Sequence, residues 1–175
     1  AKSPRPSGVA SVFNATAIEV DGVNNGYLYA CLAWGDFDSD GDLDLLASGQ
    51  DVSGNRQLRI YQNNGNGTIS SSEIDVDGVN GGLMGGGLAW GDYDNDGDLD
   101  ILESGRSQGA TLDLRVYKNN GNGTMDANQI EVDGLNNGLR FGGVAWGDFD
   151  GDGDFDILAS GQTGSTTNEL RIYRN

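Results

Sequence analysis

The sequence predicts an all-β protein, a β-propeller built of three four-stranded blades per chain. Three observations carry that reading. A nine-residue acidic loop occurs three times, as DFDSDGDLD from Asp36, DYDNDGDLD from Asp92 and DFDGDGDFD from Asp148, at a constant interval of 56 residues. The interval runs through the rest of the chain: Trp34, Trp90 and Trp146 share one position of it, as do Tyr61, Tyr117 and Tyr173, and Ile18, Ile74 and Ile130. Between these marks apolar residues alternate or form short blocks, and no helical period lasts three turns. A repeat of this length is one supersecondary unit that cannot bury its own face, so neighbours must stack. The units are residues 8–63, 64–119 and 120–175, after a tail of residues 1–7.

Each unit holds the same predicted strands. The first, LAWGD in the first two units, leads directly into the acidic loop. The second, LDLLASG, is apolar on both faces, with Leu43, Leu45 and Ala47 on one and Leu46 on the other. It therefore calls for sheets packed on both sides. The third, QLRIYQN, alternates Leu58 and Ile60 with Arg59 and Tyr61, and an NNGNGT turn of hairpin composition follows it. The fourth, EIDVDG, alternates Ile74 and Val76 with Asp75 and Asp77, the pattern of a half-exposed outer strand. This layout pairs Arg59 with Asp75 and Arg115 with Glu131 across neighbouring third and fourth strands. The three tryptophans are expected between blades, where a buried indole N–H needs a partner.

Charge and composition exclude several classes. The net charge is −17, yet fifteen of the twenty-seven acids sit in the three loops, and the other twelve face ten bases. The acidity is local, and a salt-adapted surface is not needed to explain it. No basic stripe exists to neutralise the phosphates of a nucleic acid, and no apolar run approaches a membrane span. The first ten residues lack the apolar stretch of a signal peptide, as in a mature or trimmed chain. The chain has no histidine and one cysteine, Cys31, whose counterparts are Gly87 and Gly143. With most carboxylates gathered in the loops, no nucleophile–base pair can be assembled, and an enzyme is not expected.

So many carboxylates repel one another unless a cation sits among them. Calcium takes six to eight oxygens at about 2.3–2.6 Å, which flexible carboxylates supply. In the first loop positions 1, 3 and 5 offer the side chains of Asp36, Asp38 and Asp40, and Gly41 lets the chain turn sharply. Asp42 is expected to give its backbone carbonyl and Asp44 to close the shell with both oxygens. The same roles fall on Asp92, Asp94, Asp96, Asp98 and Asp100, and on Asp148, Asp150, Asp152, Asp154 and Asp156. The expectation is one Ca2+ per repeat, three per chain. An EF-hand is rejected, because its twelfth position would be Ala47, Glu103 or Ala159 and the flanks are strands.

The run AWGDFDSDGDLDLLASG followed by LRIYQNNGNGT resembles the FG-GAP/VCBS repeat, over Gly8 to Asn175. That repeat forms the calcium-binding blades of integrin-α-like β-propellers and of related microbial and fungal proteins. The resemblance implies a calcium loop between the first and second strands of each blade, on the lower face. It places ligands on the opposite face or between blades. Members include adhesion receptors, lectins and propellers appended to enzymes, so the fold does not fix the function. The expected function is a calcium-stabilised binding module, lectin-like or adhesive, outside the cell or on its surface. A structural or protein-assembly platform is the alternative. Candidate ligand residues lie between fourth and first strands: Asn24, Asn25, Tyr27 and Tyr29 in one unit, Asn136, Asn137, Arg140 and Phe141 in another. Asparagine and arginine grip sugar hydroxyls and aromatic rings stack on sugar rings, although asparagine is also an ordinary turn residue.

Three blades are too few to close a ring. The chain opens with a fourth-strand segment, FNATAIEVDG, and stops just after a third strand, ELRIYRN. The expected assembly is a six-bladed homodimer in which residues 13–20 of each chain pair with residues 169–174 of the other, bringing Arg171 to the partner's Glu19. A fragment of a longer propeller is the competing reading.

Overall fold

The computed structural model describes residues 16–22, 25–78, 81–126, 128–134 and 136–175. Among these residues there is no helix, hence none long and apolar enough to cross a membrane. Eleven strands form three antiparallel sheets set side by side. The first contains β1 (Leu28–Gly35), β2 (Asp44–Gln50), β3 (Arg56–Tyr61) and β4 (Ile74–Asp75). The second repeats it with β5 (Met84–Gly91), β6 (Asp100–Arg106), β7 (Leu112–Tyr117) and β8 (Ile130–Glu131). The third has β9 (Arg140–Gly147), β10 (Asp156–Gln162) and β11 (Asn168–Tyr173). First strands lie beside first strands, β1 on β5 and β5 on β9, which is a propeller-like arrangement.

The outer strand of each complete sheet comes from the following repeat. β4 pairs with β3 through Arg59↔Asp75 and Ile60↔Ile74, and β8 pairs with β7 through Arg115↔Glu131 and Val116↔Ile130. Both expected ion pairs form, Arg59 with Asp75 and Arg115 with Glu131, the latter at 2.8 Å. Each outer strand spans two residues, fewer than the alternating pattern predicts. The third sheet shows no fourth strand among the described residues. Of the N-terminal segment expected to supply one, residues 13–15 lie outside the described residues and 16–20 belong to no strand.

The core lies between sheets. Phe37, Leu46, Leu58 and Ile60 of the first sheet pack on Ile101, Tyr117 and Trp90 of the second. Leu102, Leu114 and Val116 then pack on Ile157, Ala159, Trp146 and Tyr173 of the third. The second strands of the first two sheets, β2 and β6, are thus buried on both faces, as their unbroken apolar runs require, whereas β10 leaves Leu158 exposed. Leu43 departs from this. It is exposed, because β2 begins at Asp44, whose carboxylate turns inward, and Leu43 is the last residue of the loop.

Tryptophan and glycine fix the spacing of the sheets. A Cβ on Gly35 would stand 2.5 Å from Trp90 Cδ1, and one on Gly91 would stand 2.4 Å from Trp146 Cδ1. Each indole therefore lies against the glycine that follows the previous repeat's tryptophan. The Nε1 atoms of Trp90 and Trp146 are buried without a hydrogen-bond partner, contrary to the expectation that each finds one. Trp34 is not packed between sheets at all but is 62 % exposed, since no described sheet covers its side.

A second repeated contact pins each linker to the sheet that follows it. The Tyr117 hydroxyl donates to Asp77 Oδ2 at 2.6 Å and the Tyr173 hydroxyl to Asp133 Oδ2 at 2.7 Å. Tyr61 donates to Asp21 at 3.1 Å. Arg115 and Arg171 add ion pairs to Asp77 and Asp133 at 3.4 Å and 3.0 Å. Burial drives the Tyr61 and Tyr117 phenols far above their ordinary range, so both stay donors.

Candidate metal centres and the opposite mouth

Each acidic loop joins the end of a first strand to the start of a second, and its first aspartate folds it. Asp36 Oδ2 accepts the Gly41 amide at 3.0 Å, Asp92 Oδ2 the Gly97 amide at 3.0 Å, and Asp148 Oδ2 the Gly153 amide at 3.2 Å. Those glycines have φ of 94°, 96° and 97°, a region open to glycine at no steric cost. The fold-back gathers Asp36, Asp38 and Asp40, and likewise Asp92, Asp94 and Asp96, with carboxylate oxygens within 4.8 Å of one another. In the third loop Asp148, Asp150 and Asp156 meet that distance.

These clusters fit a divalent cation bound by oxygen. Asp36 Oδ1 is buried with no hydrogen-bond donor, which is costly for a carboxylate unless a cation ligates it. Cationic and amide groups already converge on the loops from the residue after each repeated tyrosine. Gln62 Nε2 donates to Asp38 at 2.9 Å, and Lys118 Nζ binds Asp94 and, at 3.0 Å, Asp96. Arg174 lies 3.6 Å from Asp150. Sequence reasoning missed these three, though their shared place in the interval was the available signal.

The ninth-position aspartates have a second task. Asp44 accepts the amides of Phe37 at 2.9 Å and Asn63 at 2.8 Å, one on each oxygen. Asp100 takes Tyr93 and Asn119, and Asp156 takes Phe149 and Asn175, in the same way. All three are buried and tie the loop to the end of the third strand. Each oxygen retains a second lone pair for a metal. Burial pushes the Asp100 carboxyl up to about 6, against the pull of the Asn119 and Tyr93 amides and with the help of Asp94 and Asp96. In the first two loops the seventh-position side chains face the NNGNGT turn. A Cβ on Gly65 would stand 2.2 Å from Asp42 Oδ2, so the turn needs glycine there. Asp98 stands in the same relation to Gly121. Asp154 accepts the Asn95 side-chain amide at 2.7 Å, linking the second and third loops. Asp152 Oδ1 braces its own loop by accepting the Asp154 amide at 3.0 Å.

The model of the FG-GAP-like repeat matches residues 36–103 and 105–159, most of the chain and all three loops. The chain belongs to the FG-GAP-like repeat family. Comparison with curated proteins gave no match.

The opposite end of the FG-GAP sheets presents a different surface. Each first strand starts with a bulge that places Tyr29, Gly85 and Phe141 in the left-handed region, at φ of 53°, 67° and 58°. Two of these are aromatic residues, for which the conformation is strained. The bulges meet at a cavity of about 160 Å³ lined by Tyr29, Met84, Gly85, Arg106, Arg140 and Phe141. The Arg140 guanidinium lies 4.9 Å from the Phe141 ring centroid and donates to Gln162 at 3.2 Å. Among the described residues no ion pair joins Arg106 or Arg140 to an acid.

Of the ligand residues expected from sequence, the fold brings together Tyr29, Arg140 and Phe141. Asn24 lies outside the described residues. Asn25 and Asn137 spend their amides on the carbonyls of Asp21 and Asp133 at 2.7 Å and 2.9 Å, and Asn136 accepts the Leu112 amide at 3.1 Å. Tyr27 shares a 2.7 Å hydrogen bond with Tyr61 and belongs to the linker contact. Arg106 was missed, because its counterparts Gln50 and Gln162 carry no charge.

Proposed function

We propose that this FG-GAP chain is a calcium-stabilised binding module, lectin-like or adhesive, working outside the cell or at its surface and not as an enzyme. The observation that carries the reading is the recurrence of one folded aspartate cluster at the same place in three sheets. Calcium, one ion per repeat, is the cation best suited to such a flexible all-oxygen site, and its millimolar level outside cells suits an exposed location. Asp36, Asp38 and Asp40 hold the first ion, Asp92, Asp94 and Asp96 the second, and Asp148, Asp150 and Asp156 the third. A non-catalytic role is supported by the lack of histidine and by Cys31, whose thiol is pushed up by burial and donates to the Gly86 carbonyl at 3.1 Å. Titrating calcium into chelator-stripped protein by calorimetry is expected to give three sites per chain, and no uptake would end this reading.

The ligand binds at the mouth opposite the calcium loops. Tyr29 and Phe141 are 62 % and 66 % exposed there, flat surfaces on which a sugar ring stacks, and Arg140 and Arg106 supply donors for its oxygens. Phe141→Ala is expected to abolish signals on a glycan array without changing calcium uptake. An array with no response from the native protein would leave the second reading, a protein-assembly platform. That alternative is favoured by the apolar faces exposed on the first and third sheets. Self-association into a ring completed by a second copy belongs to either reading.

A further inference from the structure

The two sheets at the ends of the row each expose one face, and each face is half of a contact the chain already makes twice. On the third sheet Phe149 is 63 % and Leu170 71 % exposed, while their first-repeat counterparts Phe37 and Leu58 are 2 % and 0 % exposed. Leu158 and Ile172 of that face are exposed too, where Leu46 and Ile60 are buried. On the first sheet Leu32 and Trp34 are exposed, where Leu88, Trp90, Val144 and Trp146 pack on the neighbouring sheet.

Carrying each internal contact forward by one interval gives a matched set. Trp90 lies against Gly35 and Trp146 against Gly91, so the next seat is Gly147, and a Cβ placed there meets nothing within 4 Å. Among the described residues, Trp34 is the indole of this series without a glycine beneath it. The Asn119 side-chain amide donates to the Phe37 carbonyl at 3.1 Å, and that of Asn175 to the Tyr93 carbonyl at 2.7 Å. The next acceptor in the series is the Phe149 carbonyl, and the next donor is Asn63. Finally, Ile60 pairs with Ile74 and Val116 with Ile130, which leaves Ile172 at the free edge of β11 and Ile18 exposed and in no strand.

We infer that the open face of the third sheet receives the open face of the first sheet from a second copy of this chain. The partner's Trp34 sits on Gly147, the partner's Asn63 donates to the Phe149 carbonyl, and the partner's Ile18 and Glu19 pair with Ile172 and Arg171. The inference rests on the self-association read above and adds its surface and register. The contact is head-to-tail, and a ring of two copies would form it twice and leave no apolar face over. Exposed apolar patches mark interfaces, and a second copy fits this one because, among the described residues, Trp34, Asn63 and Ile18 are the members of these series that no contact between sheets of the chain uses.

The test uses the glycine that is free in one place and filled in two. Gly147→Val adds a side chain where a single chain has open space, so calcium uptake stays unchanged, but it fills the seat of the partner's indole. Leu170→Lys places a charge on the same face at a position already exposed. The native chain in calcium is expected to show twice its own mass by light scattering. Each variant raises the dimer Kd by about thirtyfold or more, the usual consequence of losing a buried anchor residue. A native chain that stays monomeric at about 100 µM, a concentration at which ordinary dimers form, overturns self-association itself. A native dimer whose Kd both variants leave unchanged overturns this surface while self-association stands.

Discussion

Chelating divalent ions from this protein is expected to lower its melting temperature by about 20–30 °C. An ion that binds only the folded state stabilises it by about 2.7 kcal/mol per site when its free concentration is a hundred times Kd. Three sites together contribute about 8 kcal/mol, a large part of the ~5–15 kcal/mol by which a typical domain is stable. One kcal/mol moves the midpoint of a chain this size by about 2–4 °C. The structural cause is local. Each loop holds carboxylate oxygens of three of its acids within 4.8 Å of one another, and at Asp36 a buried oxygen lacks any donor. Without calcium the loop is expected to open to relieve that repulsion and to release the turn between the two inner strands. Scanning calorimetry in excess chelator and in excess calcium measures the difference. Magnesium, which dehydrates reluctantly and demands stricter geometry, is expected to restore little of it. A shift below about 5 °C, roughly what one weak site supplies, would rule out calcium as the clamp.

The second large effect is a pH dependence set by Glu103. This side chain on β6 is fully buried beside the first sheet. Its Oε1 accepts the Leu83 amide at 2.9 Å and its Oε2 lies 3.5 Å from the Tyr117 hydroxyl. Burial pushes the carboxyl up to about 8 from an ordinary 4.5; the Leu83 amide opposes the shift, as does Arg115, while the Asp77 charge adds to it. The folded chain therefore holds this proton more tightly than the unfolded one. The stabilisation is fully present below pH 4.5 and is lost progressively as pH rises to about 8, at about 1.4 kcal/mol per unit within that window. Glu103→Gln keeps an acceptor for the Leu83 amide and cannot ionise. It is expected to flatten the decline and to be the more stable protein at pH 8. Denaturant midpoints at pH 5, 6.5 and 8 for both proteins decide it, and parallel profiles would show that Glu103 is not protonated in the fold.

Much of this was legible in the sequence because the repeat averages out local ambiguity. Three copies of one loop fixed the position of the acids, and alternation around Leu58 and Ile60 fixed the third strand and both arginine pairs. What failed to show were the properties that differ between copies or arise from neighbours. Glu103 entered the sequence reading only as the twelfth position of a rejected EF-hand; its counterparts are alanines, and its partners Ser48 and Leu83 come from elsewhere in the chain. The outer strands were read too long because solvent-facing alternation looks the same whether or not a ladder continues. The left-handed Tyr29 and Phe141 gave no signal, since residues of this kind seldom adopt that conformation and only the shared bulge reveals it. The double role of Asp44, Asp100 and Asp156 was also hidden, because a carboxylate that binds amides and one that binds metal share the same letter.

The residue following each repeated tyrosine makes the three loops chemically unequal. Gln62 brings a neutral amide, Lys118 an ammonium that spans two aspartates, and Arg174 a guanidinium held at the margin. A dication entering the middle loop would have to evict the lysine, whereas in the first it would only have to outcompete a dipole. Near-identical motifs would thereby acquire graded thresholds, and stepwise tightening as the surrounding calcium rises is expected in place of a switch at a single concentration.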